Sequence, residues 1–290
     1  MRLATALTQG RPTLWAAGKR DYHLITCREG DAAVADLRNA VDVGSALELG
    51  LLLRIAEIVA ELDRDSAGTK LEDLNLLPPV LRPRVFVCVG RNYAEHAAEG
   101  NVDMPTTPLL FSKFSNALIA DRGGVPYPLI TAELDYEGEL ALVIGRSANH
   151  VKQDEAWNYI AGYTIINDIS ARDLQNSDMQ WIRGKSLDGF APMGPCVITI
   201  DEVSDLDSLR IQTWVNGELR QNAPVGDMHF KIPQLIEFIT AGITLEPGDI
   251  VATGTPAGVG LGFKPPKWLS VGDEVRVSID VIGTLTSFIV

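Results

Sequence analysis

Asp135-Tyr136-Glu137-Gly138-Glu139 runs without a break into the apolar Leu140-Ala141-Leu142-Val143-Ile144, and a second apolar run, Tyr163-Thr164-Ile165-Ile166, closes in Asn167-Asp168. Residues two apart in a strand share a face, so Glu137 and Glu139 leave one strand start in the same direction. A fold that sets Asp168 beside them brings three carboxylates to one point. Such a cluster repels itself unless a cation sits within it, and hard oxygen ligands suit Mg²⁺, Mn²⁺ or Ca²⁺. The plain alternative is a solvated acidic face on an edge strand. It loses ground when a third acid closes an otherwise apolar strand.

The rest of the chain sets that pair of strands in a β-rich frame. Residues 3–7 and 13–17 flank Gln9-Gly10-Arg11-Pro12 as a hairpin, and Tyr22-His23-Leu24-Ile25 is a possible third strand. Ser45-Ala46-Leu47-Glu48 has capping-box spacing ahead of a helix over Leu49 to Leu62, with Leu51, Ile55, Ile58 and Leu62 at helical intervals. Asp63 to Pro83 is polar and proline-punctuated, and reads as a linker. The expected organisation is a small domain over 1–75 and a main domain over 84–290.

Arg84 to Gly90 is strand-like, Arg91 to Glu99 helical with Gly100 as its end, and Ile232 to Ala241 a helix stopped by Gly242. Two Gly-Asp turns, Gly248-Asp249 and Gly272-Asp273, each feed a strand. Runs of β-branched residues without a βαβ rhythm argue against a doubly wound fold. The expected class is mostly β with some α (α+β), a roll or sandwich.

The bulk numbers narrow the partners. At 290 residues and net charge −13, the chain lacks the basic stripe that nucleic-acid backbones require, and it is a poor partner for anionic membranes. An acidic protein that takes an acidic substrate must concentrate positive charge locally. Cys27, Cys88 and Cys196 are scattered and odd in number, and read as thiols of a reducing compartment. No apolar run reaches membrane-spanning length, and Gln9-Gly10-Arg11-Pro12 comes too early for a signal-peptide core, so the expected location is cytoplasmic.

Other constellations bear chemistry. His96 and Glu99, three apart, share a helix face, and a carboxylate that holds a His in one tautomer makes it a better general base; the plain reading is an ordinary surface pair. Arg172 and Gln175 stand close behind Asp168 and can bind an anionic or carbonyl group, or Arg172 can form a surface ion pair. Lys185, between Gly184 and Ser186, can offset developing negative charge or sit in a solvated loop. Thr253-Gly254-Thr255-Pro256-Ala257-Gly258-Val259-Gly260 lacks the ending of a P-loop, so its glycines point to tight turns and close approach to a ligand, with Thr255 supplying a hydroxyl.

Taken in order, several segments resemble the fumarylacetoacetate hydrolase family, in its acylpyruvase and 2-hydroxyhepta-2,4-diene-1,7-dioate isomerase-like branch. They are Val89-Gly90-Arg91-Asn92-Tyr93 with His96, Asp135 to Glu139, Asn167-Asp168 with Ser170 to Asp173, Gly184-Lys185-Ser186, Asn216-Gly217-Glu218, and Pro247-Gly248-Asp249 with Thr253 to Pro256. The resemblance implies a mixed β-sandwich roll, usually a homodimer. It implies Mg²⁺ or Mn²⁺, with Ca²⁺ able to substitute, held by Glu137, Glu139 and Asp168. It also implies that His96 and Glu99 lie on a lid and act with Lys185 in catalysis, while Arg91, Tyr93, Arg172, Gln175 and Thr255 face a small 2-oxo acid.

The expected reaction is hydrolysis of a C–C bond in a 1,3-diketo acid such as an acylpyruvate, through a metal-bound enolate, with His96 and Glu99 activating water. The same enolate serves an isomerase, a keto–enol tautomerase or an oxaloacetate decarboxylase. A non-catalytic β module holding Ca²⁺ as a structural clip is the alternative of a different class.

Overall fold

A computed structural model describes residues 1–18, 21–25, 37, 39–65, 67–100, 102–178 and 180–290. In chain order the strands are β1 (Arg2–Thr8), β2 (Arg11–Ala17), β3 (His23–Leu24), β4 (Leu76–Leu77), β5 (Phe86–Gly90), β6 (Leu109–Ser112), β7 (Leu118–Ile119), β8 (Gly123–Val125), β9 (Leu134–Asp135), β10 (Gly138–Ile144), β11 (Ile160–Asn167), β12 (Ser170–Ala171), β13 (Ala191–Thr199), β14 (Arg210–Val215), β15 (Glu218–Pro224), β16 (Ile250–Ala252), β17 (Glu274–Ile279) and β18 (Gly283–Ile289). The α-helices are α1 (Val43–Glu48), α2 (Leu52–Asp65), α3 (Ala94–Glu99), α4 (Arg172–Ser177), α5 (Ile182–Lys185) and α6 (Ile232–Thr240).

Among the described residues, one large sheet follows the order β3-β2-β1-β13-β11-β10-β16-β5-β6, and a second follows β15-β14-β17-β18-β8. β10 lies inside the large sheet, antiparallel to both β11 and β16. It is apolar on both faces because both are covered. Leu140, Leu142 and Ile144 enter a core with Ile211, Val277, Ile279 and the inner face of α6, while Ala141 and Val143 enter the core shared with Phe86, Ile250 and Ile55. Burying each large aliphatic side chain contributes on the order of 1.5–3 kcal/mol, so the strands that carry the acids belong to the firmest part of the molecule. This is the α+β roll that the β-branched runs imply.

The N-terminal region departs from the sequence reading in three respects. The capping box belongs to α1, where Asp42 accepts from the Ser45 N–H at 2.8 Å and Ser45 Oγ accepts from the Asp42 N–H at 3.0 Å. Ser45 is therefore the third residue of a helix, not the cap of the next one. The helix expected over Leu49 to Leu62 begins at Leu52, because a turn with Gly50 in left-handed backbone separates it from α1.

The segment read as a linker carries β4, which pairs with β1. β1 in turn pairs with β13, Arg2 opposite Ile198 and Leu3 opposite Val197, so the large sheet runs across the division expected between 1–75 and 84–290. These pairings join residues far apart in sequence, which local composition does not report. Cys88 and Cys196 are buried free thiols, and Cys27 lies outside the described residues. No helix among the described residues is long and apolar enough to cross a membrane.

Candidate active site

The antiparallel register brings the acids together. Gly138 stands opposite Asn167, and the ladder is extended one step by the Asp168 N–H donating to the Glu137 carbonyl at 2.8 Å. Glu137 itself precedes the strand; its N–H is held by Asn167 Oδ1 at 3.1 Å. One carboxylate oxygen each from Glu137, Glu139 and Asp168 then lie within 4.8 Å of one another, and all three residues are buried. Two oxygens that share an ion lie at most twice a bond length apart, about 4–5 Å for bonds of roughly 2.1–2.5 Å.

Cations surround this cluster unevenly. Lys185 Nζ, on α5 rather than in a loop, donates to Glu137 Oε2 at 2.7 Å and to Asp168 Oδ2 at 2.8 Å. Lys113 Nζ donates to Asp168 Oδ1 at 2.5 Å, and Arg172 Nη1 meets Glu137 Oε1 at 2.6 Å. Glu139 has no such partner. Among the described residues its hydrogen-bond donor is the Gly254 N–H at 2.9 Å, which faces it because Gly254 adopts φ +99°, where a side chain would be strained.

The ionisation follows this asymmetry. Burial works against the charge on Glu137, but Lys185 and Arg172 outweigh it and hold the carboxyl well below the usual carboxylate range. Burial pushes Glu139 well above that range, and the charges of Asp168 and Glu137 push it further. Burial also opposes the charge on Lys185, yet Asp168 and Glu137 raise it, whereas burial wins at Lys113 and lowers it. A buried carboxylate repelled by two neighbours and lacking a counter-charge fits a divalent cation at that point. These donors suit Mg²⁺ or Mn²⁺, with Glu137, Glu139 and Asp168 as the holders.

A cavity of about 460 Å³ opens beside the cluster. Of the residues expected from sequence to form the site, Arg91, His96, Glu99, Glu137, Glu139, Arg172, Gln175, Lys185 and Thr255 line it. Asp168 does not; it lies behind Lys185 with no exposure. Tyr93 does not line it either, which corrects its expected place among substrate-facing groups. Its buried ring belongs to the core under α3 and its hydroxyl points to the Val225 carbonyl, 3.5 Å away.

His96 Nδ1 and Glu99 Oε2 stand 3.2 Å apart on α3, and the other Glu99 oxygen accepts from the Gly258 N–H at 2.7 Å. A carboxylate only accepts, so Nδ1 carries the proton and Nε2 presents a lone pair. Arg172 is placed by Nε donating to Asp135 Oδ2 at 2.8 Å and by Nη1 donating to Gln175 Oε1 at 3.1 Å, which leaves Nη2 buried without a protein partner. Thr255 Oγ donates to the Gly138 carbonyl and accepts from Gln221 Nε2.

The sequence reading missed four contributors: Lys113, Phe111, Trp181 and Lys264. Phe111 and Trp181 meet edge to face at 5.4 Å, Arg91 lies over Trp181, and Lys185 lies over Phe111. Arg91 holds left-handed backbone at φ +55°, a strained state for a non-glycine residue. The one signal for Lys113 was a lysine closing the apolar run Leu109-Leu110-Phe111 between two phenylalanines. With Lys264 at the rim, the cavity gathers cationic side chains in a chain of net charge −13, the local reversal that an acidic substrate requires.

The chain combines a β-roll, a buried carboxylate cluster that suits a divalent cation, and an adjoining cavity lined in part by cationic side chains. The model described as fumarylacetoacetate (FAA) hydrolase C-terminal matches residues 85–290, and the chain belongs to the fumarylacetoacetate hydrolase family. Oxaloacetate tautomerase YisK of Bacillus subtilis (strain 168) is 45% identical over 236 residues, 79% of this chain and 78% of that protein. The structure of fumarylacetoacetate hydrolase from psychrophilic Exiguobacterium antarcticum matches with a TM-score of 0.82 at 33% identity, over 100% of this chain and 99% of the other. The 2-hydroxyhepta-2,4-diene-1,7-dioate isomerase from Mycobacterium marinum matches with a TM-score of 0.74 at 31% identity, over 100% and 98%.

Proposed function

We propose that the chain catalyses keto–enol interconversion of a short 2-oxo dicarboxylic acid, with oxaloacetate as the test substrate. The observation that carries this is the His96–Glu99 pair lining the same cavity as Glu137 and Glu139, together with Arg172 and Lys185. The 45% identity to an oxaloacetate tautomerase supports the choice of substrate.

A divalent cation held by Glu137, Glu139 and Asp168 would supply Lewis-acid polarisation of the 2-oxo carbonyl. Arg172, which lines the cavity, binds a substrate carboxylate. For enolisation His96 Nε2 takes a proton from C3 and delivers it to the C2 oxygen, and for ketonisation it carries the proton back from that oxygen to C3, with Glu99 holding the ring and stabilising its charged form. Lys185 has used two of its three N–H groups on Glu137 and Asp168. The third meets negative charge as it develops on the substrate oxygen, the kind of contribution that is worth about 10²–10³ in rate.

Cleavage of an acylpyruvate is the second reading. It is favoured by the same His96–Glu99 pair, which can equally deprotonate a water. The purified protein with Mg²⁺ or Mn²⁺ is mixed with oxaloacetate enol, and its ultraviolet decay is followed beside cleavage of an acylpyruvate. The expected result is metal-dependent acceleration of enol decay, abolished by EDTA. Faster cleavage of the acylpyruvate with no effect on the enol establishes the hydrolytic reading instead. No acceleration of either ends both.

A further inference from the structure

The structure assigns Asp135 the role of a positioning residue that couples the seat of Arg172 to the loop under the His96–Glu99 helix. Its carboxylate has no exposure, and its acceptor positions are all in use. Oδ1 accepts from the N–H groups of Gly260 at 2.6 Å and Tyr136 at 2.9 Å. Oδ2 accepts from Leu261 N at 3.1 Å and from Arg172 Nε at 2.8 Å. Asp135 is not among the clustered metal-ligating residues, nor does it line the cavity. Any effect it has on reaction is therefore transmitted through the groups it holds.

Arg172, Leu261 and Gly262 all line the cavity. Arg172 reaches Glu137 and carries the unpartnered Nη2. The loop held through Gly260 and Leu261 begins at Gly258, whose N–H caps Glu99 and whose carbonyl accepts from the Tyr136 hydroxyl at 2.8 Å. Gly262 in the same loop packs so closely on Glu99 that a Cβ there would collide with its carboxylate. One carboxylate thus fixes the arginine and, two residues along the chain, the turn on which the base pair rests. A Cβ at Gly260 would lie 2.6 Å from Asp135 Oδ1, so the loop can approach this closely only with glycine there. The coupling itself stands on these contacts, while its kinetic consequence rests on the function proposed above.

The test uses the Asp135→Asn and Gly260→Ala variants of the full chain. In Asp135→Asn one acceptor oxygen becomes an NH₂ that faces N–H donors and cannot serve them. In Gly260→Ala the carboxylate is kept, and the new Cβ presses on Asp135 Oδ1 and on the Lys267 carbonyl, so the contact is disturbed from the loop. Three quantities are read: Mn²⁺ affinity by calorimetry, hydrogen exchange of the α3 amides, and kcat and KM with oxaloacetate. In both variants the expected result is α3 exchange faster by about tenfold or more, with Mn²⁺ affinity within about threefold of the parent. For turnover, KM rises and kcat falls in both, and combining either variant with Arg172→Ala gives less than the sum of the single effects, the sign of groups acting as a unit.

Unchanged α3 exchange in both variants overturns the proposal. So does loss of Mn²⁺ affinity in step with every other property, which marks a merely structural role. If Asp135→Asn does not fold, Gly260→Ala decides alone. A parent that leaves oxaloacetate untouched removes the function proposed above, yet the exchange measurement still decides the coupling.

Discussion

Glu139→Gln abolishes metal-dependent turnover and leaves the fold intact. The amide keeps the shape of the side chain and removes its charge. Loss of an outer-shell partner typically costs about 10–100-fold in metal affinity, and loss of a ligand charge exceeds that. Mn²⁺ titration of the variant therefore shows binding weakened by more than about 100-fold. The consequence for stability has the opposite sign. The folded-state pKa of Glu139 is raised by burial and by the charges of Asp168 and Glu137. A raised carboxyl stabilises the fold at low pH, and that contribution is lost as pH rises through the folded value. In the metal-free parent, burial and the charges of Asp168 and Glu137 disfavour ionisation of Glu139, a cost that the variant lacks. EDTA consequently lowers the parent's Tm and leaves that of Glu139→Gln unchanged. Parent-like Mn²⁺ affinity and turnover in the variant would remove Glu139 from the metal site.

His96→Ala lowers kcat by about 10²–10⁴, the range for loss of a positioned general base. Mn²⁺ affinity stays near that of the parent, because the hydrogen bond of His96 is to Glu99 and not to Glu137, Glu139 or Asp168. The contrast between the two variants is the informative part. Glu139 acts on metal and rate together, His96 on rate alone. If His96→Ala weakens metal binding and turnover by equal factors, the imidazole is holding structure and is not transferring protons. Glu99→Gln gives a milder version of the same loss, since an amide still bonds to the ring but no longer stabilises its charged form.

Strand patterning made much of this legible from sequence. Glu137 and Glu139 precede and begin an apolar run, Asp168 closes another, and an antiparallel ladder with Gly138 opposite Asn167 brings them into one cluster. The spacing of His96 and Glu99 placed both on α3, where they meet. Hidden from the sequence were contacts with no local periodicity. Lys113 reaches Asp168 from just beyond β6, 55 residues earlier, and its flanking phenylalanines alone do not tell a buried ammonium from a surface one. Asp135 reads as one more acid in an acidic motif until Gly260 and Leu261 are seen to converge on it. Tyr93 sits one residue from Asn92 in a segment that approaches the cavity, yet its side chain turns into the core; which way a single residue faces is decided by packing against Val225. Pairing of β1 with β13 joins residues nearly 200 apart, beyond any local signal.

The central claim is that Glu137, Glu139 and Asp168 share one divalent ion at the wall of the cation-lined cavity. Anomalous diffraction from crystals grown with Mn²⁺ tests it directly. The predicted result is a single strong peak within about 2.0–2.4 Å of one oxygen from each of the three carboxylates, with Lys185 turned aside or still bonded to a non-coordinating oxygen. Anomalous density that lies elsewhere, while the three carboxylates remain paired with Lys185 and Lys113 alone, would contradict it.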